Sequence, residues 1–144
     1  RAIAPFLEGC APELLMPPIN MVRLSLHPQG IAPRIENLGE VRAHVLARLR
    51  RQIELTADLV LAALLAEASA WPVPFSQPHP RKGQEAAELF IPVRLRTSAG
   101  LLTLISATTV FGTPVDVTLA ELAIETFLPA DAETAERLRA MAAD

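Results

Sequence analysis

The sequence predicts an α+β domain, with helices first, an antiparallel sheet next and a helix at the end. Three observations point there. Apolar residues recur every three or four positions from Leu38 to Ile53; the period falls to two from Leu89 to Leu95; and Asp131 precedes a last stretch, Ala132 to Ala143, in which Leu138 and Met141 lie about one turn apart. At 144 residues the chain has the size of one ordinary domain, so residues 1–144 are expected to share a single core.

Taken in order, Ala2 to Leu7 and its follow-on Ala11 to Met16 are expected to be helical and then to turn, because Pro17 and Pro18 deny a helix the donors and geometry it needs. Ile19 to Leu26 is predicted as an extended piece that packs. His27-Pro28-Gln29-Gly30 is turn chemistry, with Pro presetting its φ and Gly accepting a left-handed conformation. From about Ile35 to Thr56, Val41, Val45, Leu49 and Ile53 align on one side, while Arg42, Arg48, Arg50, Arg51 and Glu54 fall largely elsewhere, which predicts an amphipathic helix. Asp58 suits the N-cap of a second helix, Leu59 to Ser69, apolar on every side and therefore expected to be buried or to line a cavity.

Trp71 to Lys82 holds Pro72, Pro74, Pro78 and Pro80 and is predicted as an irregular connection, a surface loop or lid. Beyond it Leu89, Ile91, Val93 and Leu95 share one strand face and Phe90, Pro92, Arg94 and Arg96 the other, with Pro92 favouring a sheet edge or a bulge. Thr97-Ser98-Ala99-Gly100 reads as a tight turn into Leu101 to Val110, giving an antiparallel hairpin that Phe111-Gly112-Thr113-Pro114 ends. A third strand, about Leu119 to Leu128, completes a meander, with Leu122, Ile124 and Thr126 on one face and Glu121, Ala123, Glu125 and Phe127 on the other. Asp131 caps the final helix, with Glu133 near its positive end.

Composition excludes several classes of function. Apolar residues make up 51% of the chain, yet no run approaches the length of a membrane span, so a soluble, cytoplasmic chain without a membrane partner is expected. Aromatics are 4%, with no Tyr, so the interior must be aliphatic and suits an aliphatic guest better than a stacked ring. A net charge of -3 offers no general attraction for a phosphate backbone. The lone Cys10 permits no internal disulfide and is expected to be a small buried apolar residue, with a reactive thiol the alternative. Residues Arg1 to Phe6 lack the apolar core of a secretory signal, and the missing initiator Met fits a piece of a longer chain.

Enzyme chemistry finds little support. His27, His44 and His79 are scattered with no metal-ligand spacing, and neither a nucleophile elbow nor a glycine-rich phosphate loop is present, so no metal and no cofactor are expected. Glu121 and Glu125 lie about 13 Å apart along a strand, too far for a glycosidase pair, and read as a solvated face. Arg48, Arg50 and Arg51 could meet phosphates but read more simply as a solvated helix face. His27 is expected to be a hydrogen bonder within its turn, with a switch or ligand contact as the alternative.

The run Asn20-Met21-Val22-Arg23-Leu24-Ser25-Leu26-His27-Pro28-Gln29-Gly30-Ile31-Ala32-Pro33-Arg34 closely resembles the segment that opens the middle of MmyB-like regulator sensor domains. The stretch from Asn37 through Val45-Leu46-Ala47-Arg48-Leu49-Arg50-Arg51-Gln52, and that from Thr108-Thr109-Val110-Phe111-Gly112-Thr113-Pro114 to Glu125, are similar to the same family, so the resemblance spans nearly the whole chain. It implies a PAS-like fold, an antiparallel sheet covered by helices on one face, with a pocket between them that accepts a fatty acid. It also implies a helix-turn-helix domain, absent from this chain, through which alone the regulator meets operator DNA, and opening strands that would lie before Arg1. A sheet edge left without those strands would invite another copy, so a homodimer is expected.

The function expected is therefore that of an effector-binding sensor domain of a transcriptional regulator, the alternative being a dimerisation or partner-docking domain with no small ligand. The pocket is expected between the helix Leu59 to Ser69 and the inward sheet face, with Leu61, Leu64 and Leu65 in its wall. Asn20 and Arg23, polar groups within an apolar strand, need partners; they satisfy each other or hold the ligand's carboxylate. Arg94 and Arg96 are reserves for that role.

Overall fold

In a computed structural model, which describes residues 4–73, 91–110 and 123–143, five helices and three strands follow one another as α1 (Ala4–Leu7), α2 (Met21–Leu26), α3 (Leu38–Thr56), α4 (Leu59–Ala70), β1 (Val93–Thr97), β2 (Gly100–Val110), β3 (Ala123–Pro129) and α5 (Ala132–Ala143). Pro12–Leu15 and Ala32–Arg34 are short 3-10 turns. The α+β arrangement with an antiparallel sheet is the one the sequence predicts. The expectations for 74–82, for Leu89 and Phe90, for Phe111-Gly112-Thr113-Pro114 and for 119–122 fall outside the described residues.

One element is corrected. Ile19 to Leu26 is not extended: Asn20 closes the start of helix α2, its Oδ1 accepting from the Val22 and Arg23 amides at 3.0 and 3.1 Å. That local bond outweighs the strand preference of a six-residue segment whose Leu24 and Leu26 are buried either way. The chain then turns back tightly, with the Gly30 and Ile31 amides donating to the His27 and Leu24 carbonyls, both at 2.8 Å. A Cβ on Gly30 would stand 2.3 Å from the Leu24 carbonyl oxygen, so this close approach requires glycine. His27 lies within this turn, where its Nδ1 accepts from the Gln29 amide at 3.1 Å, and its ring meets Trp71 edge-on at 5.1 Å.

The sheet has the order β1-β2-β3, both pairs antiparallel. Its register sets Leu95 opposite Leu102, and Val93 opposite Leu104. Leu95, Leu102 and Leu104, all nearly fully buried, share one face by the alternation of side chains along a strand. Leu95 packs into a core formed with Leu38, Val41, Leu46 and Leu49 of α3 and Leu64 and Ala68 of α4.

The ends of the ladder are closed by both backbone and side-chain groups. Beyond β1, Ile35 bridges to Leu95, the Glu36 amide donates to the Arg94 carbonyl at 2.8 Å, and the Arg94 amide donates to Asn37 Oδ1 at 3.0 Å. Beyond the end of β3, Ala130 and then α5 take over the pairing of β2: the Ala130 amide reaches the Thr103 carbonyl, the Thr103 amide donates to Thr134 Oγ1 at 3.0 Å, and Arg137 donates to the Leu101 carbonyl. These contacts supply partners that an exposed edge would lack. Asp131 caps α5 through the Thr134 amide at 2.7 Å, and that bond holds its carboxyl below the usual range. Among the described residues β3 is the outer strand on the other side.

Candidate ligand-binding cavity

A cavity of about 370 Å³ lies between α2, α3 and the sheet, within the range of small-molecule sites. Helix α3 supplies its longest wall. Val41, Val45 and Leu49 follow at intervals of four and form an apolar stripe; His44, Arg48 and Gln52 follow at the same interval three residues later and form a polar rail beside it. Eight residues of helix rise about 12 Å, the length of each row, and the two run side by side from His44 to Leu49, about 8 Å.

The other walls are shorter. Met21, Val22 and Ser25 of α2 close one side. The sheet contributes Ile91 and Val93 from β1 and its approach, and Ser106, Glu125 and Phe127 from β2 and β3. Ser106 and Phe127 are directly opposite in the ladder, and Glu125 is two residues from Phe127, so all three project from the same face as Leu102 and Leu104. Met21 and Phe127, both in its wall, are 48% and 46% exposed. No hydrogen bond joins His44 to Ser25 or Ser106 among the described residues. No group of three His, Cys, Asp or Glu among the described residues is placed to hold a metal.

Asn37 fixes the β1 wall. It is 5% exposed, and its Nδ2 donates to the Pro92 carbonyl at 2.7 Å and to Glu40 Oε2 at 3.2 Å, while its Oδ1 accepts from the Arg94 amide. The segment carrying Ile91 and Val93 is thus tied to the start of α3. Although Asn37 occupies the N-cap position and Glu40 stands three residues on, its side chain does not cap the helix.

None of the five residues expected to bind a ligand lines this cavity. Asn20 is occupied as the cap of α2, and Arg23 forks onto Glu67 of α4 with three contacts at 3.1, 3.2 and 2.8 Å. The hydrogen bond to Arg23 is the main cause that lowers the Glu67 carboxyl below its ordinary value. Leu64 is buried in the core, and Leu61 and Leu65 pack half-buried against it. Of the reserve arginines, Arg96 faces Glu36 at 3.5 Å, and Arg94 has a buried Nε with no partner among the described residues. The longest wall of this cavity is instead α3, where the sequence carries a polar triplet, His44, Arg48 and Gln52, flanking the apolar stripe rather than opposing it. Arg48, read as part of a solvated face, is exposed and lines the cavity as well. Glu125 and Phe127, on the face read as solvated, line it too.

Cys10 is half-buried, with the Arg34 guanidinium 4.0 Å from its sulfur; Arg34 also donates to the Pro5 and Phe6 carbonyls and so pins α1 to the turn before α3. No helix of the described residues is long and apolar enough to cross a membrane. The model of one family, the MmyB-like transcription regulator ligand binding domain, matches residues 1–141. No curated protein and no solved structure matches the chain.

Proposed function

The chain belongs to the family of MmyB-like transcription regulator ligand binding domains, and from that premise we propose that the cavity between α2, α3 and the sheet holds the regulator's effector, a slender apolar molecule of the fatty-acid class. The family is one of regulator ligand-binding domains and not an enzyme family. What supports the cavity as the site is its apolar stripe about 12 Å long with a polar rail at its side, a shape that fits a single acyl chain. Burying about ten methylenes contributes roughly 8 kcal/mol, comparable with the estimated 4–15 kcal/mol lost in freedom on association, so the tail supplies most of the affinity and needs help from its head. No resident cofactor is required in this reading. Occupancy would change operator binding through a helix-turn-helix domain of the same regulator in the cytoplasm.

A second reading, a homodimer contact, is favoured by a specific observation: β3 is an outer strand among the described residues, and Phe127 and Leu128, on its two faces, are 46% and 49% exposed. The two readings are compatible, since the same strand both borders the cavity and presents an edge.

Titration of sodium decanoate into the protein by calorimetry tests the first reading. Val45→Trp fills the cavity from α3 and is expected to abolish binding while the helical circular dichroism is retained. Undiminished decanoate binding by this variant would overturn the assignment of the cavity.

A further inference from the structure

We infer that Arg48 is the specificity-determining residue of the cavity, holding an anionic head group, and that Glu125 on the opposite wall acts against it to place and limit that charge. This rests on the reading of the cavity as the effector site. Arg23, Arg34, Arg42, Arg96 and Arg137 each meet a protein oxygen, whereas Arg48 makes no hydrogen bond or ion pair among the described residues and lines the cavity. Arg50 and Arg51 are exposed too, but lie outside the lining.

The position of Arg48 explains the choice. It stands midway along the polar rail, with His44 one turn before it and Gln52 one turn after, so a carboxylate at its guanidinium finds further polar groups on either side along α3. Val45 and Leu49 flank it on the apolar stripe, so a ligand whose head meets Arg48 lays its tail on those side chains. The planar fork of arginine matches a carboxylate with two parallel hydrogen bonds, which a neutral hydroxyl cannot accept in the same way.

Glu125 is the other full charge in the lining, and no ion pair joins it to Arg48 among the described residues. When ionised it offers only acceptors, so it repels a carboxylate and draws a hydroxyl or amine donor. Two opposite charges on facing walls make the site sort ligands by head group: an anion is driven to the α3 side, and its affinity is held below what Arg48 alone would give. An aliphatic tail without a charge loses little from removal of either residue.

The experiment compares sodium decanoate with 1-decanol on the wild type, Arg48→Met, Arg48→Lys, Glu125→Gln and Val45→Trp, with thermal unfolding as a check on each fold. Arg48→Met is expected to weaken decanoate at least tenfold and decanol less than twofold, with Arg48→Lys recovering part of the loss. Glu125→Gln is expected to tighten decanoate several-fold, the opposite sign. Equal losses for acid and alcohol in Arg48→Met, or weaker decanoate binding in Glu125→Gln, would overturn the inference while leaving the cavity assignment intact. Decanoate binding that survives Val45→Trp would instead remove the cavity reading itself, and with it this inference.

Discussion

Helices α3 and α4 pack side by side, and the less hydrophobic of the two forms the cavity. Helix α4 is apolar on every side over its first two turns, with Glu67 and Ser69 further on, yet among its residues only Leu64 and Ala68 are buried, and Leu59 and Val60 at its start are 83% and 76% exposed. Helix α3 carries six arginine and acidic side chains over 19 residues of clear amphipathic pattern, and it supplies six of the cavity's wall residues. The difference teaches that a helix apolar on every side makes core wherever it touches a neighbour, because aliphatic side chains close over one another without leaving space. A cavity needs a boundary at which packing stops, and on α3 that boundary is the line between the Val41–Val45–Leu49 stripe and the His44–Arg48–Gln52 rail. Polar groups there keep their access to water, so the sheet cannot close onto them without leaving them unpaired.

The largest expected contrast lies within α4, between its middle and its start. Leu64→Ala removes a side chain that is 6% exposed from the core shared with Leu38, Val41 and Leu95, and is expected to cost about 2–5 kcal/mol. Leu59→Ala, on the same helix, is expected to change stability by less than about 0.5 kcal/mol. Urea unfolding of both variants checks this. Equal losses would mean that Leu59 is covered in solution, and the contrast within α4 would fail.

Next in size is Asn37, which joins the start of α3 to the β1 wall. Asn37→Ala leaves the Pro92 carbonyl and the Arg94 amide without the partners they have now, at a cost of roughly 3 kcal/mol for the two buried groups. Since Ile91 and Val93 lie on the segment it holds, decanoate affinity is expected to fall in the same variant. A lower urea midpoint with unchanged slope, together with weaker decanoate binding, is the expected pair of results; lost stability with full binding would detach Asn37 from the cavity.

What was legible in the sequence follows from how local each signal is. Asp58 and Asp131 cap their helices as the sequence predicts, because an Asx cap is decided within four residues. The hairpin turn at Thr97 to Gly100 is equally local and appears, and of the stretch with a period of two, Val93 to Leu95 lies in strand β1. The same cap chemistry at Asn20 was hidden by the apolar residues around it, which fit a strand of six residues as well as a helix of less than two turns. Arg23 pairs with a residue 44 positions away, and no periodicity announces such a partner. The cavity depends on where three layers fail to meet, a property of tertiary packing. Its polar rail was in plain view as His44, Arg48 and Gln52, and could be weighed as a wall only once α2 and the β2–β3 face stood opposite.

Arg23 supplies a smaller effect. Its pair with Glu67 ties α2 to α4, with 47% and 38% of the two side chains exposed, so the pair is expected to contribute below about 1 kcal/mol. Arg23→Met should lower stability by no more than that and weaken decanoate and decanol equally, in contrast to Arg48→Met. Selective loss of the acid in Arg23→Met would move the head group to the α2–α4 side and dissolve the distinction between the two helices.

The smallest effect is the pH dependence of that same pair. The Glu67 carboxyl is depressed below its ordinary value chiefly by the hydrogen bond from Arg23; burial opposes this, and the positive charge of Arg23 adds a lesser lowering. A depressed carboxyl binds fewer protons in the folded than in the unfolded chain, so folding gains stability that is fully present above the unfolded value, near pH 4.3–4.5, and is lost as pH falls through the lower folded value. Glu67→Gln removes this titration without removing the side-chain shape. The difference in Tm between the wild type and Glu67→Gln is therefore expected to be level above about pH 5 and to shrink as pH falls below about 4, where the wild-type carboxyl is itself neutral. Because both side chains are partly in water, the level part should also narrow at 1 M salt. A difference that persists unchanged at pH 3 would show that the glutamine disturbs packing on α4 rather than the ion pair, and would return Glu67 to the core side of that helix.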